Sequence, residues 1–357
     1  MSHRIRRVQQ LRVAPAPLVR EFGLFAERLE VRTNDRRILA AAEASFGRFE
    51  VPPAGEPLIV RLVVDDPVAP TPAAPAAPAA PAAPAAPAEP LDARRLGHDT
   101  AGHLFSISLG SAGRAVVDLA TGFGTGSVSS ALADQAGLLR YAFVEAMALA
   151  MLTGGRGYVP IHASCVVRDG IGVILQAPAG TGKSTLALAC ARRGWGLLAE
   201  DVVFARPSGR GPVDGPAGEG PLEVWGMPWT QRLLPDATRF FPELGAATAR
   251  LQANGEHKLE VDLDEHAPGA ATPRAAAGPI VLLARDTGGP TRAEWLSPLV
   301  APTEAETLWP WESGWTAAHE RTAARLLDQG VLRLHLNSTP DEAVTALEAA
   351  LEPAAAR

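Results

Sequence analysis

Two cysteines, Cys165 and Cys190, cannot build a disulfide framework, and no CxxC or Cys/His cluster offers a structural zinc site. Basic charge is not in excess either. The formal net charge of -6 argues against general nucleic-acid binding, which leaves a basic footprint. A small basic pocket for phosphate is still compatible with it. The N-terminal stretch "MSHRIRRVQQLRVAPAPLVREFG" has charge but no continuous apolar run, so it does not read as a secretory signal. The most apolar helical stretch, "YAFVEAMALAMLTGG", is interrupted by Glu145 and is short for a bilayer span. These absences predict a soluble cytoplasmic protein with neither nucleic acid nor membrane as partner. What is plentiful is apolar residue: at 47% of 357 residues, the chain can bury a sizeable core in about two domains.

Residues 69–90 repeat a "PAA" unit. Proline at every third position fixes φ and removes amide donors, so neither a helix nor a sheet interior is expected there. The flanking segments "PLIVRLVVDD" and "HLFSISLGSAGRAVVDLA" read as strands. The tract is therefore expected to be a spacer inserted in a small β-rich N-terminal region, residues 1–128. The remaining 129–357 would form a second domain that closes with C-terminal helices. It would begin with the helix "SALADQAGLLRYAFVEAMALAML", followed by "PIHASCVVRDGIGVILQAP", in which Asp169-Gly170 signals a tight hairpin. A helix, "KSTLALACARRG", and a buried strand, "WGLLAEDVVFARP", come next. "TQRLLPDATRFFPEL" and "STPDEAVTALEAALE" are expected to be helical. Trp309, Trp311 and Trp315 suggest a core or lid cluster.

Between the hairpin and that helix lies "QAPAGTGKST", residues 176–185. The usual phosphate loop is G-x-x-x-x-G-K-[ST]. Here Ala177 replaces the first glycine, and Gly182-Lys183-Ser184 completes the pattern. Gly180 and Gly182 allow backbone amides to turn inward around phosphate oxygens. Lys183 supplies positive charge to the β/γ-phosphates, Ser184 offers a hydroxyl to Mg²⁺, and the next helix aims its N-terminus at the anion. Ala179, Gly180, Thr181, Gly182, Lys183, Ser184 and Thr185 are the expected nucleotide contacts. One helix further on, Glu200 and Asp201 end an apolar run. A carboxylate there can bind Mg²⁺ or accept a proton from an attacking hydroxyl. Successive strand residues face opposite ways, so only one can face the phosphates unless the strand stops there.

The ordered set of His162, "DGIGVILQAPAGTGKSTLALACARRGWGLLAED" and "LEVWGMP" resembles HPr kinase/phosphorylase and, at greater distance, ATP-dependent phosphoenolpyruvate carboxykinase. The resemblance covers about residues 155–285. It implies an α/β fold with an HPr-kinase-like P-loop core and a mixed sheet, beside the small β-rich N-terminal region. It also implies ATP and Mg²⁺ as cofactors. His162 matches the family histidine beside the catalytic acid, with Ala163 where the family has glycine. The family's "DD" pair becomes Glu200-Asp201, so Glu200 inherits the general base and Asp201 a metal-binding role. Glu223 matches a metal-binding acid, Trp225 stands where the family has arginine, and Lys258 fills the position of a cation near the transferring phosphoryl group. Arg274 lies in the segment matching a basic loop linked to the reverse, phosphorylase direction, whose further basic and glycine residues are absent here.

The expected activity is transfer of the γ-phosphoryl group of ATP to a serine-type hydroxyl of a protein, peptide or small molecule. The alternative is a nucleotide-binding regulator or assembly factor, which needs Lys183 and Ser184 but neither His162 nor Glu200. A homo-oligomer is compatible with either.

Overall fold

A computed structural model describes residues 15–65, 91, 95–208, 220–251, 256–285, 288–301 and 317–352. The Ala/Pro tract and the tryptophans at 309, 311 and 315 lie outside the described residues. The chain divides into two compact units between Gly155 and Arg156, later than the boundary at 128/129 expected from the sequence.

In the first unit, seven strands form one sheet in the order β1-β2-β3-β7-β6-β5-β4. These are β1 (Leu18–Leu24), β2 (Glu27–Thr33), β3 (Leu58–Val64), β4 (Gly97–Ala101), β5 (Leu104–Leu109), β6 (Gly113–Asp118) and β7 (Phe123–Val128). The segments on either side of the Ala/Pro tract thus join the same sheet.

The later boundary has a packing cause. Helix Ala136–Arg156 lies against this sheet, where glycines let it approach: a Cβ on Gly113 would come within 2.6 Å of the Phe143 ring. The helix is 21 residues long and apolar enough to cross a bilayer by length and composition, which corrects the shorter span read from the sequence, and half of its most apolar stretch is buried. Glu145, which interrupts the apolar run, is buried but not alone. A π-turn over Arg140–Glu145 brings Arg140 Nε to 2.8 Å from its carboxylate, and Ser45 Oγ donates to the same oxygen at 2.7 Å. A buried carboxylate without such partners would be costly.

In the second unit, nine strands form a mixed sheet whose main path runs β11-β9-β10-β17-β13-β12-β8, with β19 and β18 continuing from β17. They are β8 (Val159–His162), β9 (Ser164–Arg168), β10 (Ile171–Gln176), β11 (Gly196–Ala199), β12 (Val202–Pro207), β13 (Leu222–Trp225), β17 (Arg274–Arg285), β18 (Arg292–Trp295) and β19 (Val331–Leu336). A separate three-stranded sheet, β14-β16-β15, is made by β14 (Thr230–Leu233), β15 (Ala249–Leu251) and β16 (His257–Asp262).

Strands β9 and β10 form the expected hairpin, with Asp169 at φ 52° and Gly170 at φ 78°. Positive φ at both central residues is what a tight two-residue turn needs to match strand twist. On its other edge β10 runs parallel to β17, and β17 runs parallel to β19. The strand entering the loop at 177–182 therefore has one antiparallel and one parallel neighbour.

Two sequence expectations change. "TQRLLPDATRFFPEL" is not helical along its length: it is strand β14 followed by short 3₁₀ turns at Pro235–Arg239 and Pro242–Ala246. Proline opens each turn, and neither continues into an α-helix. "WGLLAEDVVFARP" is two strands, β11 and β12, broken at Glu200-Asp201. The closing helix is present as Pro340–Leu351, with the Thr339 hydroxyl accepting from the Glu342 amide.

Candidate active site

The carboxyl end of β10 leads through residues 177–182 into helix Lys183–Arg192. Gly180 at φ 76° and Gly182 at φ 120° adopt backbone shapes that other residues rarely reach. Ala177, standing for the usual first glycine, buries its methyl among the core side chains around the helix, so the substitution costs no loop space.

The break between β11 and β12 resolves the question of facing. Because the strand stops at Ala199, Glu200 and Asp201 both line the same cavity as the loop. The buried Ser164 hydroxyl donates to the Glu200 carbonyl and holds the bend. Strand β12 pairs Val202 with His162 on β8, which sets the imidazole beside Asp201. Ala163, where the family has glycine, is fully buried behind it.

Two linked groups result. Ser184 Oγ donates to Glu200 Oε1 at 2.9 Å, while Arg232 Nη1 stands 3.6 Å from Glu200 Oε2. Glu200 is only 6% exposed. Burial, and then the neighbouring Asp201 charge, push its carboxyl up to about 7, against the pull of Arg232, Ser184 and Lys258. Asp201 is half-exposed and lies 3.5 Å from His162 Nδ1 and 3.6 Å from Lys183 Nζ. Lys183 Nζ is also 3.4 Å from His162 Nε2. Burial and the Lys183 charge hold the imidazole below its ordinary value, outweighing the pull of Asp201.

The cavity, of about 560 Å³, is lined by His162, residues 178–186, Glu200, Asp201 and Lys258 among others. Glu223 is not among its lining residues. It forms an ion pair with Arg274 across β13 and β17, and the Arg274 guanidinium lies 4.8 Å from the centre of the Trp225 ring. This salt bridge occupies the carboxylate that the family pattern would give to the metal. Among the described residues, no group of three His, Cys, Asp or Glu side chains could hold a metal. Mg²⁺ beside a nucleotide does not require one, since it commonly takes one or two carboxylates with phosphate oxygens and water. The Ser184 hydroxyl on the Glu200 carboxylate, with Asp201 adjacent, fits that demand.

No family model matches the chain. Over 52 residues it is 46% identical to an HPr kinase/phosphorylase of Chlorobium luteolum (strain DSM 273 / BCRC 81028 / 2530), a match covering 15% of this chain and 16% of that relative. Over that stretch the chain is similar to HPr kinase/phosphorylase. It spans about a sixth of that relative's length. The solved Hpr(Ser) kinase/phosphatase from Coxiella burnetii aligns at 16% identity and a TM-score of 0.28, over 54% of this chain and 97% of that one.

Sequence reasoning did not find Arg232, Arg239 or Arg285, all of which line the cavity. Arg232 was hidden because its segment reads as a helix, whereas on β14 it lies opposite Glu260 of β16. Lys258, two residues before Glu260, shares that face of the small sheet.

Proposed function

We propose that this chain is an ATP- and Mg²⁺-dependent cytoplasmic kinase that transfers the γ-phosphoryl group to a serine-type hydroxyl of a protein, peptide or small molecule. The observation that carries the reading is the half-exposed Asp201 carboxylate, between His162 and Lys183 and open to the phosphate-loop cavity. A binding-only regulator needs Lys183 and Ser184. It has no use for a carboxylate held by a histidine at the mouth of the loop.

The contacts favour exchanging the two acidic roles expected from the resemblance. Glu200, buried and joined to Ser184, suits the metal side; bound Mg²⁺ would offset phosphate charge there. Asp201, accessible and oriented by His162, suits proton removal. The acceptor oxygen bonds to the γ-phosphorus as the bond to the ADP oxygen breaks, and the hydroxyl proton passes to Asp201. Lys183 holds phosphate charge throughout, and Lys258 on the small sheet can meet charge on the transferring group.

Transfer of label from γ-labelled ATP to candidate hydroxyl acceptors tests the reading. Lys183→Ala serves as its control. It should weaken ATP binding roughly ten- to a hundredfold, the scale of a hydrogen bond to a charged group, with an unchanged melting temperature. Labelled acceptor with the parent protein and none with the variant is the expected result. Tight ATP binding without any labelled acceptor would favour the binding-only reading.

A further inference from the structure

Five cationic side chains line the cavity: Lys183, Arg232, Arg239, Lys258 and Arg285. Four of them have carboxylate partners. Lys183 is near Asp201, Arg232 near Glu200 and Glu260, Arg239 near Asp236, and Lys258 near Glu256. Arg285 is the exception: its side chain makes no ion pair and no hydrogen bond to a described residue, and it is exposed.

Its position is set by the sheet. Arg285 is the last residue of β17, whose parallel neighbours are β10, which ends in the phosphate loop, and β19. The carboxyl ends of adjacent parallel strands form the crevice in which α/β sheets receive ligands. There the Arg285 guanidinium reaches the loop itself: its Nη2 lies 3.8 Å from where a Cβ on Gly182 would stand. Lys183, by contrast, sits with His162 and Asp201.

We propose that Arg285 is a nucleotide-binding residue, its guanidinium meeting the polyphosphate of a nucleoside di- or triphosphate beside Gly182 while Lys183 meets it beside His162 and Asp201. The inference rests on the phosphate-loop reading and adds a contact that the loop motif does not contain. An uncommitted guanidinium has five N–H donors in a planar fork suited to phosphate oxygens. Because no described carboxylate pairs with it, no ion pair among the described residues must break before the ligand arrives.

Binding of ATP, ADP and inorganic tripolyphosphate to the full chain and to Arg285→Gln and Arg285→Lys, followed by calorimetry with melting curves alongside, tests this. Arg285→Gln should lose roughly ten- to a hundredfold in affinity for all three, at an unchanged melting temperature, and Arg285→Lys should recover part of the loss. Equal binding by parent and Arg285→Gln overturns the proposal. So does a loss confined to ATP and ADP with tripolyphosphate unaffected, which would place Arg285 on the base or ribose. If the parent binds none of the three, the phosphate-loop reading itself fails and the inference falls with it. Loss of binding in Lys183→Ala but not in Arg285→Gln would leave that reading standing and remove Arg285 alone.

Discussion

Asp201→Asn should bind ATP with Mg²⁺ nearly as the parent does and lose about 10² to 10⁴ of its transfer rate, the contribution of a positioned general base. The amide is close in size to the carboxylate and can still approach His162 and Lys183, so the surroundings need not rearrange. It cannot take up a proton. Single-turnover transfer to a labelled acceptor and equilibrium ATP binding separate the two effects. A variant that transfers at the parental rate would return the base to Glu200 or remove the need for one.

Glu200→Gln should do the opposite in two respects. It should weaken the dependence of nucleotide affinity on Mg²⁺, and it should make the protein more stable at alkaline pH. The sign follows from the raised carboxyl, about 7 in the folded chain against an ordinary 4.5. Below 4.5 the group is neutral both folded and unfolded, so burial carries no charge penalty. Between 4.5 and 7 the folded chain keeps a proton that the unfolded chain has lost, and stability falls as pH rises. Above 7 the full penalty applies, on the order of 3 kcal/mol for that interval. Removing the ionisable group removes the penalty, less whatever the Arg232 pairing contributes. Melting curves without nucleotide should therefore diverge in favour of Glu200→Gln at pH 8 and converge towards pH 5. Superimposable curves at pH 8 would mean that Glu200 is not held in its neutral form by the fold. Mg²⁺ affinity in the parent should fall as pH drops through 7, because the protonated carboxyl is a poor ligand.

The hairpin at Asp169-Gly170, the loop from 177 to 182 and the helix after it could be read from the sequence because each depends on residues adjacent in the chain. Turn glycines, a lysine-serine pair and an apolar helix face carry local signals. The break at Glu200-Asp201 depends instead on distant partners: β11 hydrogen-bonds to β9, β12 to β8 and β13, and the Ser164 hydroxyl holds the bend. Read alone, the segment is one apolar strand with two acids in it. The same limit applies to Glu223: its motif position suggests a metal ligand, and only register shows that Arg274 pairs with it. Arg232 and Arg285 belong to no short motif, and only strand order brings them to the loop.

Strand order also has a consequence for synthesis on the ribosome. The hairpin and loop can emerge and close early, but Ile171 pairs with Ala276, and Ile280 in turn with Val331. About a hundred residues must therefore be translated before β10 gains its parallel neighbour, and about fifty more before that neighbour gains its own. Until then the loop strand presents an open, apolar edge to whatever else is nascent nearby, the kind of surface that recruits chaperones or mispairs. On the proposed reading, a nucleotide offered before β17 and β19 emerge would find only part of its crevice, so it could stabilise this unit only once Leu336 has been made.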